Sequence, residues 1–353
     1  MTMTAVPDVP TSPAPPRRAP TSRLVPAPVQ AAEATARPPS RPGRVIAWWV
    51  VVSLASVLVV LYTVSPMVAH RDQTALLADY RTQLVNASNE SQTIAGVTTP
   101  TKPPVLGSPV GVLEIGALQV QQVAVEGATP SQTAIGPAHV PGTAGPGQPG
   151  NAVLVARRSM FGGPFADLGG LHRGDQILLT TTQGQSVYVV DTVGDRTIED
   201  AGPATTAATP AEVDPYAAPG TTVVAAAQSR GAVPAEEVFG PSADDRLTLV
   251  TSASAVPWNG TDATVVVAKL QGSPFPPTPQ GGRYDGESGR SADASALPPL
   301  VLATLAYGAA ISAAVVLYRR ASLRVAYLLT AAPLLVGTIV FAETAARLLP
   351  AWA

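Results

Sequence analysis

The chain of 353 residues contains no cysteine, and that absence limits its chemistry more than any residue present. Disulfides, thiolate metal sites and cysteine nucleophiles are all excluded. Few other side chains are suited to acid–base or nucleophilic work. The only histidines are His70, His139 and His172. Ser252 stands in the run RLTLVTSAS at 246–254, and a serine hydroxyl is a weak nucleophile unless an adjacent base takes its proton. Arg157 and Arg158 follow the run NAVLVA at 151–156. A guanidinium has no acceptor and stays protonated, so neither arginine can be that base. Arg157 reads either as a ligand contact, for instance to a carboxylate that matches its planar fork, or as a surface-filling side chain. Arg158 reads as an ion-pair partner. His70, close to an apolar run, reads as an interfacial residue, His172 as an exposed turn residue and Asp175 as a turn former. Metal-ligand clusters, phosphate loops and cofactor fingerprints do not occur, so neither a metal nor a cofactor is expected.

Composition narrows the class. Charged residues are 13% of the chain and the mean hydropathy is +0.22, which argues against a purely soluble protein. The net charge of −2 hides a partition. Residues 1–44 carry six arginines against Asp8 and Glu33, a balance of +4, whereas residues 70–295 carry 12 Lys and Arg against 21 Asp and Glu, a balance of −9. An acidic middle repels phosphate backbones, so nucleic acid is not an expected partner.

The elements that must position these residues follow from periodicity. Residues 1–44, rich in Pro, Ala and Arg, predict a disordered cytoplasmic tail. Residues 45–64, VIAWWVVVSLASVLVVLYTV, are long enough to cross a bilayer and carry Trp48, Trp49 and Tyr62 near the ends, where aromatic belts form. Residues 65–109 predict a helical stalk, with Leu76, Leu77, Tyr80 and Leu84 at helical spacing, followed by a Pro-rich linker. The stalk is expected to lift the next domain off the membrane.

Residues 110–270 alternate short β-rich runs with Gly/Pro turns, the pattern of an all-β barrel or sandwich. Strands are expected at 111–115, 118–126, 151–156, 176–182, 185–193, 222–227, 246–252 and 263–270. The stretch 194–245 is punctuated by prolines and reads as a surface insertion. A linker over 271–296 leads to apolar spans at 297–318 and 325–341, the second interrupted by Pro333.

Four fragments in order, within 132–180, carry a resemblance to a known family. Gly136, His139, Pro141, Gly142 and Thr143 fit a G-x-x-H-x-P-G-T turn, and Pro149, Gly150 and Asn151 fit the element after it. Phe161, Gly162, Pro164 and Phe165 fit a loop, and Leu171, Gly174 and Asp175 fit an L-x-x-G-D turn. Together with 246–254 and 263–270, this resembles the sortase family, most closely its actinobacterial class E type. The resemblance implies a closed β-barrel over 110–270, mainly β, outside the membrane, with one transmembrane helix N-terminal to it and two C-terminal.

The same resemblance fails at the catalytic positions. Ala156-Arg157-Arg158 stands where the family has Gly-His-Arg, so Arg157 replaces the histidine. Thr251-Ser252 stands for Thr-Cys, so Ser252 replaces the nucleophile. Ala263 falls where the catalytic arginine begins the last strand. Losing members of such a unit costs on the order of 10⁴–10⁶ in rate. The groove candidates that the resemblance leaves are His139, Arg158 and Thr251.

The expected function is therefore a pseudoenzyme at the cell surface, anchored in the lipid bilayer. Its partner is expected to be a cell-wall component, a surface peptide or a protein. A transpeptidase or hydrolase using Ser252 is the alternative, and a membrane-complex assembly subunit built on the last two spans is the third reading. Polar residues in those spans are few and mild: Ser312, Thr330 and Thr338.

Arg319, Arg320 and Arg324 lie between the last two spans, and the positive-inside rule places them with the N-terminal arginines in the cytoplasm. Protease added to intact cells is then expected to cut within 65–296 and to spare the N-terminal tail. Removal from outside of a tag placed on residue 1 overturns this orientation.

Overall fold

The structure, a computed structural model, describes residues 42–90, 92–94, 97–199, 232–254, 261–282, 289–290 and 292–352. The tail expected over 1–44 lies outside these residues except for its last three, and so do the strand expected at 222–227 and most of the stretch 194–245.

The first apolar run forms α1 (Pro42–Val59), which passes through one π-helical turn (Val60–Val64) into α2 (Ser65–Glu90) without a break. A π turn absorbs a local misfit in register while the chain stays helical. Here it lies between the apolar run and the amphipathic one. A small ladder follows, β1 (Gln92–Ile94) with β2 (Val97–Thr99).

Where a stalk was expected to hold the barrel away, α2 lies against it. The Gln73 carboxamide donates to the carbonyls of Val123 (3.1 Å) and Ile135 (2.9 Å) and accepts the Val123 N–H at 2.8 Å. Tyr80 donates its hydroxyl to the Thr180 carbonyl at 3.0 Å. Backbone groups hidden under a helix need such partners, since a buried unpaired group costs about as much as a lost hydrogen bond. Gly136 makes room for Gln73: a Cβ there would sit 2.1 Å from Nε2.

The barrel is built from β3 (Pro109–Ile115), β4 (Val120–Glu126), β5 (Ala138–His139), β6 (Asn151–Val155), β7 (Gln176–Thr181), β8 (Gly184–Glu199), β9 (Ala232–Pro234), β10 (Arg246–Ser252) and β11 (Asp262–Gln271). A short helix α3 (Pro130–Thr133) lies between β4 and β5, and α4 (Ala235–Phe239) follows β9. The sheet order is β11-β10-β6-β5-β4-β3-β7-β8-β9, and β11 also pairs with β8. That last pairing closes eight strands into a barrel and leaves β9 as an appendage on β8. Seven of the eight expected strands have counterparts, whereas β5 and β9 were not expected and β8 runs on to Glu199, into the stretch read as an insertion. In β3 every second residue faces the interior, the period-2 signature of a strand with one buried face.

Strand β6 is buried along its whole length. Ala152 and Leu154 join the barrel interior with Leu113, Phe165 and Leu249. Val153 and Val155 face a second cluster with Val250, Phe239 and Trp352. This strand is thus covered on both faces, which explains its unbroken apolar run.

Two long helices complete the chain, α5 (Leu297–Arg320) and α6 (Leu323–Ala346). With the segment Val50–Val85 they give three helices long and apolar enough to cross a membrane, one N-terminal and two C-terminal to the barrel. Pro333 is accommodated inside α6, which at 24 residues is longer than the 17-residue span expected. The hairpin packs through Tyr307, which stacks on Phe341 at 5.8 Å between ring centroids and accepts a hydrogen bond from Thr338 at 2.9 Å.

Asn151 ties the barrel to α4. Its Nδ2 donates to the carbonyls of Val238 and Gly240, both at 2.9 Å, and its Oδ1 accepts from Thr248 at 2.6 Å. Asn151→Ala leaves three buried groups unpaired, a loss of about 2–3 kcal/mol. At about 2–4 °C per kcal/mol for a domain of this size, the melting temperature of the detergent-solubilised chain, followed by circular dichroism, is expected to fall by roughly 4–12 °C. An unchanged melting temperature contradicts this role for Asn151.

Candidate functional site

Strand register brings Arg157, Ser252 and Ala263, the positions that the sequence resemblance singled out, to one barrel end. Strand β6 runs parallel to β10 with Val155 beside Val250, and β10 runs antiparallel to β11 with Ser252 opposite Ala263. Arg157, two residues past the end of β6, therefore arrives beside Ser252. Side chains stitch the strand ends: Thr251 donates to the Ala156 carbonyl at 2.9 Å, and Arg158 Nη1 donates to the Ser252 carbonyl at 3.2 Å. Of the sequence-derived candidates, Arg157, Arg158, Thr251, Ser252 and Ala263 share one end of the barrel.

A segment of the same chain occupies that end. After α6, the residues Leu349-Pro350-Ala351-Trp352 return to the barrel. The Trp352 carbonyl accepts the N–H of Arg158 at 3.2 Å and the N–H of Ser252 at 3.3 Å, and its own N–H donates to Gly289 at 3.2 Å. Its side chain is fully buried, in the cluster that holds Val155, Val250 and Ala263. Ser252 is fully buried as well, and both contacts of its Oγ are with Ser254, donating to the carbonyl at 2.9 Å and accepting the N–H at 3.2 Å. Neither contact provides a base. The sequence carried no sign of this arrangement, because four residues have no period and a tryptophan after an apolar span is ordinarily read as part of an aromatic belt.

Arg157 is neither a surface filler nor a paired cation. It is fully buried. One nitrogen, Nη2, donates to the carbonyls of Pro130 (3.2 Å) and Ala346 (3.5 Å), and the guanidinium carbon lies 5.0 Å from the centre of the Phe161 ring. Phe161 and Met160 hold left-handed backbone, φ 45° and 59°, and the Phe161 N–H is taken by Ser65 Oγ at 3.0 Å. The loop is thus fixed to the start of α2. Burial pulls the guanidinium down to about 10, so it remains a cation at neutral pH.

His139 lies elsewhere. It borders a cavity of about 190 Å³ shared with Glu126, Gln148 and Thr181, and none of the five residues above lines that cavity. Its Nδ1 meets Glu126 Oε2 at 2.7 Å and its Nε2 meets the Ala144 carbonyl at 2.9 Å, with Thr143 Oγ1 at 3.1 Å. Two acceptors, one on each ring nitrogen, favour the protonated ring. Glu126, which the sequence did not single out, is the partner that makes this possible. His172 and Asp175 form the expected turn, the His172 N–H donating to Asp175 Oδ2 at 2.7 Å. Among the described residues, no group of three or more His, Cys, Asp or Glu side chains is placed to hold a metal.

Burial alone would lower the His139 pKa, but the Glu126 hydrogen bond and charge, with the Ala144 carbonyl, leave it raised. The stabilisation from this pair is complete below the ordinary histidine value of about 6.5 and is lost as pH rises through the higher folded value. The melting temperature is expected to fall across that window in the parent protein. Glu126→Gln should flatten the dependence, and a variant that keeps the full slope contradicts the pairing.

Residues 113–271 match the Sortase domain. Solved structures similar to the chain include a sortase D5 transpeptidase of Clostridium perfringens, 17% identical over 57% of this chain and 99% of that one, with a TM-score of 0.37. Sortase E of Streptomyces avermitilis is 24% identical over 48% of this chain and 91% of its own, with a TM-score of 0.33. Sortase C of Clostridium perfringens with the C-terminal cell wall sorting motif is 18% identical over 57% and 89%, with a TM-score of 0.34. No curated protein matches the chain. The domain match spans every strand from β4 to β11, so the closed barrel within residues 113–271 is similar to the Sortase domain, although the chain contains no cysteine.

Proposed function

We propose that this protein is a non-catalytic, membrane-anchored sortase-family protein whose inherited groove binds extended peptide at the cell surface. The observation that carries the proposal is the seat of Trp352. One carbonyl satisfies the N–H groups of Arg158 and Ser252, and one aromatic side chain fills the space beside Ala263. Backbone pairing with a strand end, plus an anchoring side chain in a pocket, is how sheets recognise extended peptides.

The chemistry at the strand ends supports the same reading. A hydroxyl without a base, an arginine in place of an imidazole and an alanine in place of a cation leave no unit able to open an amide and stabilise the resulting oxyanion. The groove instead holds its own chain, which links the barrel to the α5–α6 hairpin. A surface or cell-wall peptide, or a protein partner, would compete with that segment for the same N–H groups. In this reading the barrel stands outside the membrane and the arginine-rich turn Arg319–Arg324 inside, in keeping with the charge clusters of the sequence.

Because the chain has no other thiol, Ser252→Cys introduces one reporter at the groove. Its alkylation by a maleimide is expected to be slow, and adding Trp352→Ala should speed it roughly tenfold or more, the equivalent of about 1.4 kcal/mol of lost closure. Equal rates contradict occupation of the groove by Leu349–Trp352. The parent chain, given a sorting-motif peptide and an amine, should release no product, and Ser252→Ala should behave identically. Turnover that disappears in Ser252→Ala replaces this reading with a serine enzyme.

A further inference from the structure

A second cavity lies beside Arg157, apart from the groove that Trp352 fills. Its volume is about 330 Å³. Its walls come from three elements: Val60, Leu61 and Val64 of the π turn, Ile339 and Ala342 of α6, and the barrel residues Pro130 and Arg157. The π-turn and α6 residues belong to helices long and apolar enough to cross a membrane, and they make one wall apolar. The deep polar group is the guanidinium. It is wholly buried, and both Nε and Nη1 lack a hydrogen-bond partner. A buried cation with unpaired donors is costly unless an anion or an acceptor meets it.

The other charged groups around the cavity do not meet this need. Glu343 is paired with Arg347 at 3.0 Å and half exposed. Asp72, partly exposed, lines the same cavity and makes no ion pair with Arg157. What is left is a buried cation beside a space lined mostly by apolar side chains, with Ser65 and Ser131 as the further polar groups.

We infer that this cavity binds the phosphodiester of a membrane phospholipid, with the phosphate at Arg157 and an acyl chain along Val60, Val64 and Ile339. Phosphate oxygens suit a guanidinium that presents several donors in fixed directions. The apolar wall excludes a small hydrated anion as the whole ligand, because such an ion would leave that wall facing water. Headgroup and chain together complement both parts of the cavity. This site shares Arg157 with the barrel end that carries the peptide groove, while its test leaves Ser252 and Trp352 untouched.

The full chain is purified in detergent, stripped of lipid, and melted with phosphatidylglycerol, with diacylglycerol or with inorganic phosphate. Bound lipid is counted by native mass spectrometry. Phosphatidylglycerol is expected to raise the melting temperature and to remain bound at one molecule per chain, while diacylglycerol and inorganic phosphate do neither. Arg157→Gln should abolish both effects. Since Arg157 also holds the carbonyls of Pro130 and Ala346, a second variant keeps it: Val68→Trp, at a half-exposed position on the cavity rim, should narrow the entrance and weaken lipid retention several-fold without lowering the lipid-free melting temperature. Equal stabilisation by diacylglycerol would reduce the cavity to a chain groove and overturn the proposal. Stabilisation by inorganic phosphate alone would make the ligand a soluble anion and overturn it as well. Retention unchanged in both variants would place the lipid elsewhere.

Discussion

Two strand-end N–H groups, those of Arg158 and Ser252, have no partner within the barrel ladder, and the Trp352 carbonyl supplies one for both. Much of the architecture hangs on that contact. It fixes where α6 must end, and therefore where the hairpin stands relative to the barrel. It brings an aromatic side chain over Ala263 and Val250, closing the second apolar cluster. It also buries Ser252, whose backbone N–H becomes a docking point. In an ordinary barrel the end of such a sheet would be left to water or to a ligand. Here covalent continuity keeps the occupant at high local concentration, in the way a short linker turns a second binding event into an intramolecular one.

Three side chains at this barrel end answer to the same constraint. An alanine at 263 leaves space beside the tryptophan. Serine at 252 ties its hydroxyl to Ser254 and shapes the turn after β10. Arginine at 157 reaches across to the last carbonyls of α6, where the helix leaves acceptors without intrahelical partners.

Much of the barrel was legible in the sequence because its signals are local. Alternation marked β3, β7 and β10, and glycines at fixed offsets marked the turns between them. The segment Gln176–Thr181 was visible almost to the residue. The two-residue β5 was not, since Ala138–His139 is too short to show a period. Nor was the docking of α2, which depends on Gln73 finding the edge of β4 some 50 residues away. The candidate site divided in the same way. Motif order located Arg157, Ser252 and Ala263, and strand register brought them to one barrel end. His139 lay in the same motif yet faces another cavity, because its ring is claimed by Glu126 from the neighbouring strand. The filling of the groove depends on residues nearly a hundred positions from Ser252, a separation that no pattern rule spans.

The loop Met160–Phe161 is held to the N-terminal helix at Ser65, while Arg157, three residues before Met160, is held to α6 at Ala346. The two grips sit on different apolar helices. When a bilayer thins or thickens, long helices that cross it respond chiefly by tilting, and both of these helices are long and apolar enough to cross one. A difference in tilt between them pulls on the short stretch from Arg157 to Phe161 like two hands on one cord. The left-handed residues at its end leave little slack to absorb the pull. That stretch begins just past the end of β6, so a change in tilt of either helix would be transmitted to the strand that holds the barrel's closed end.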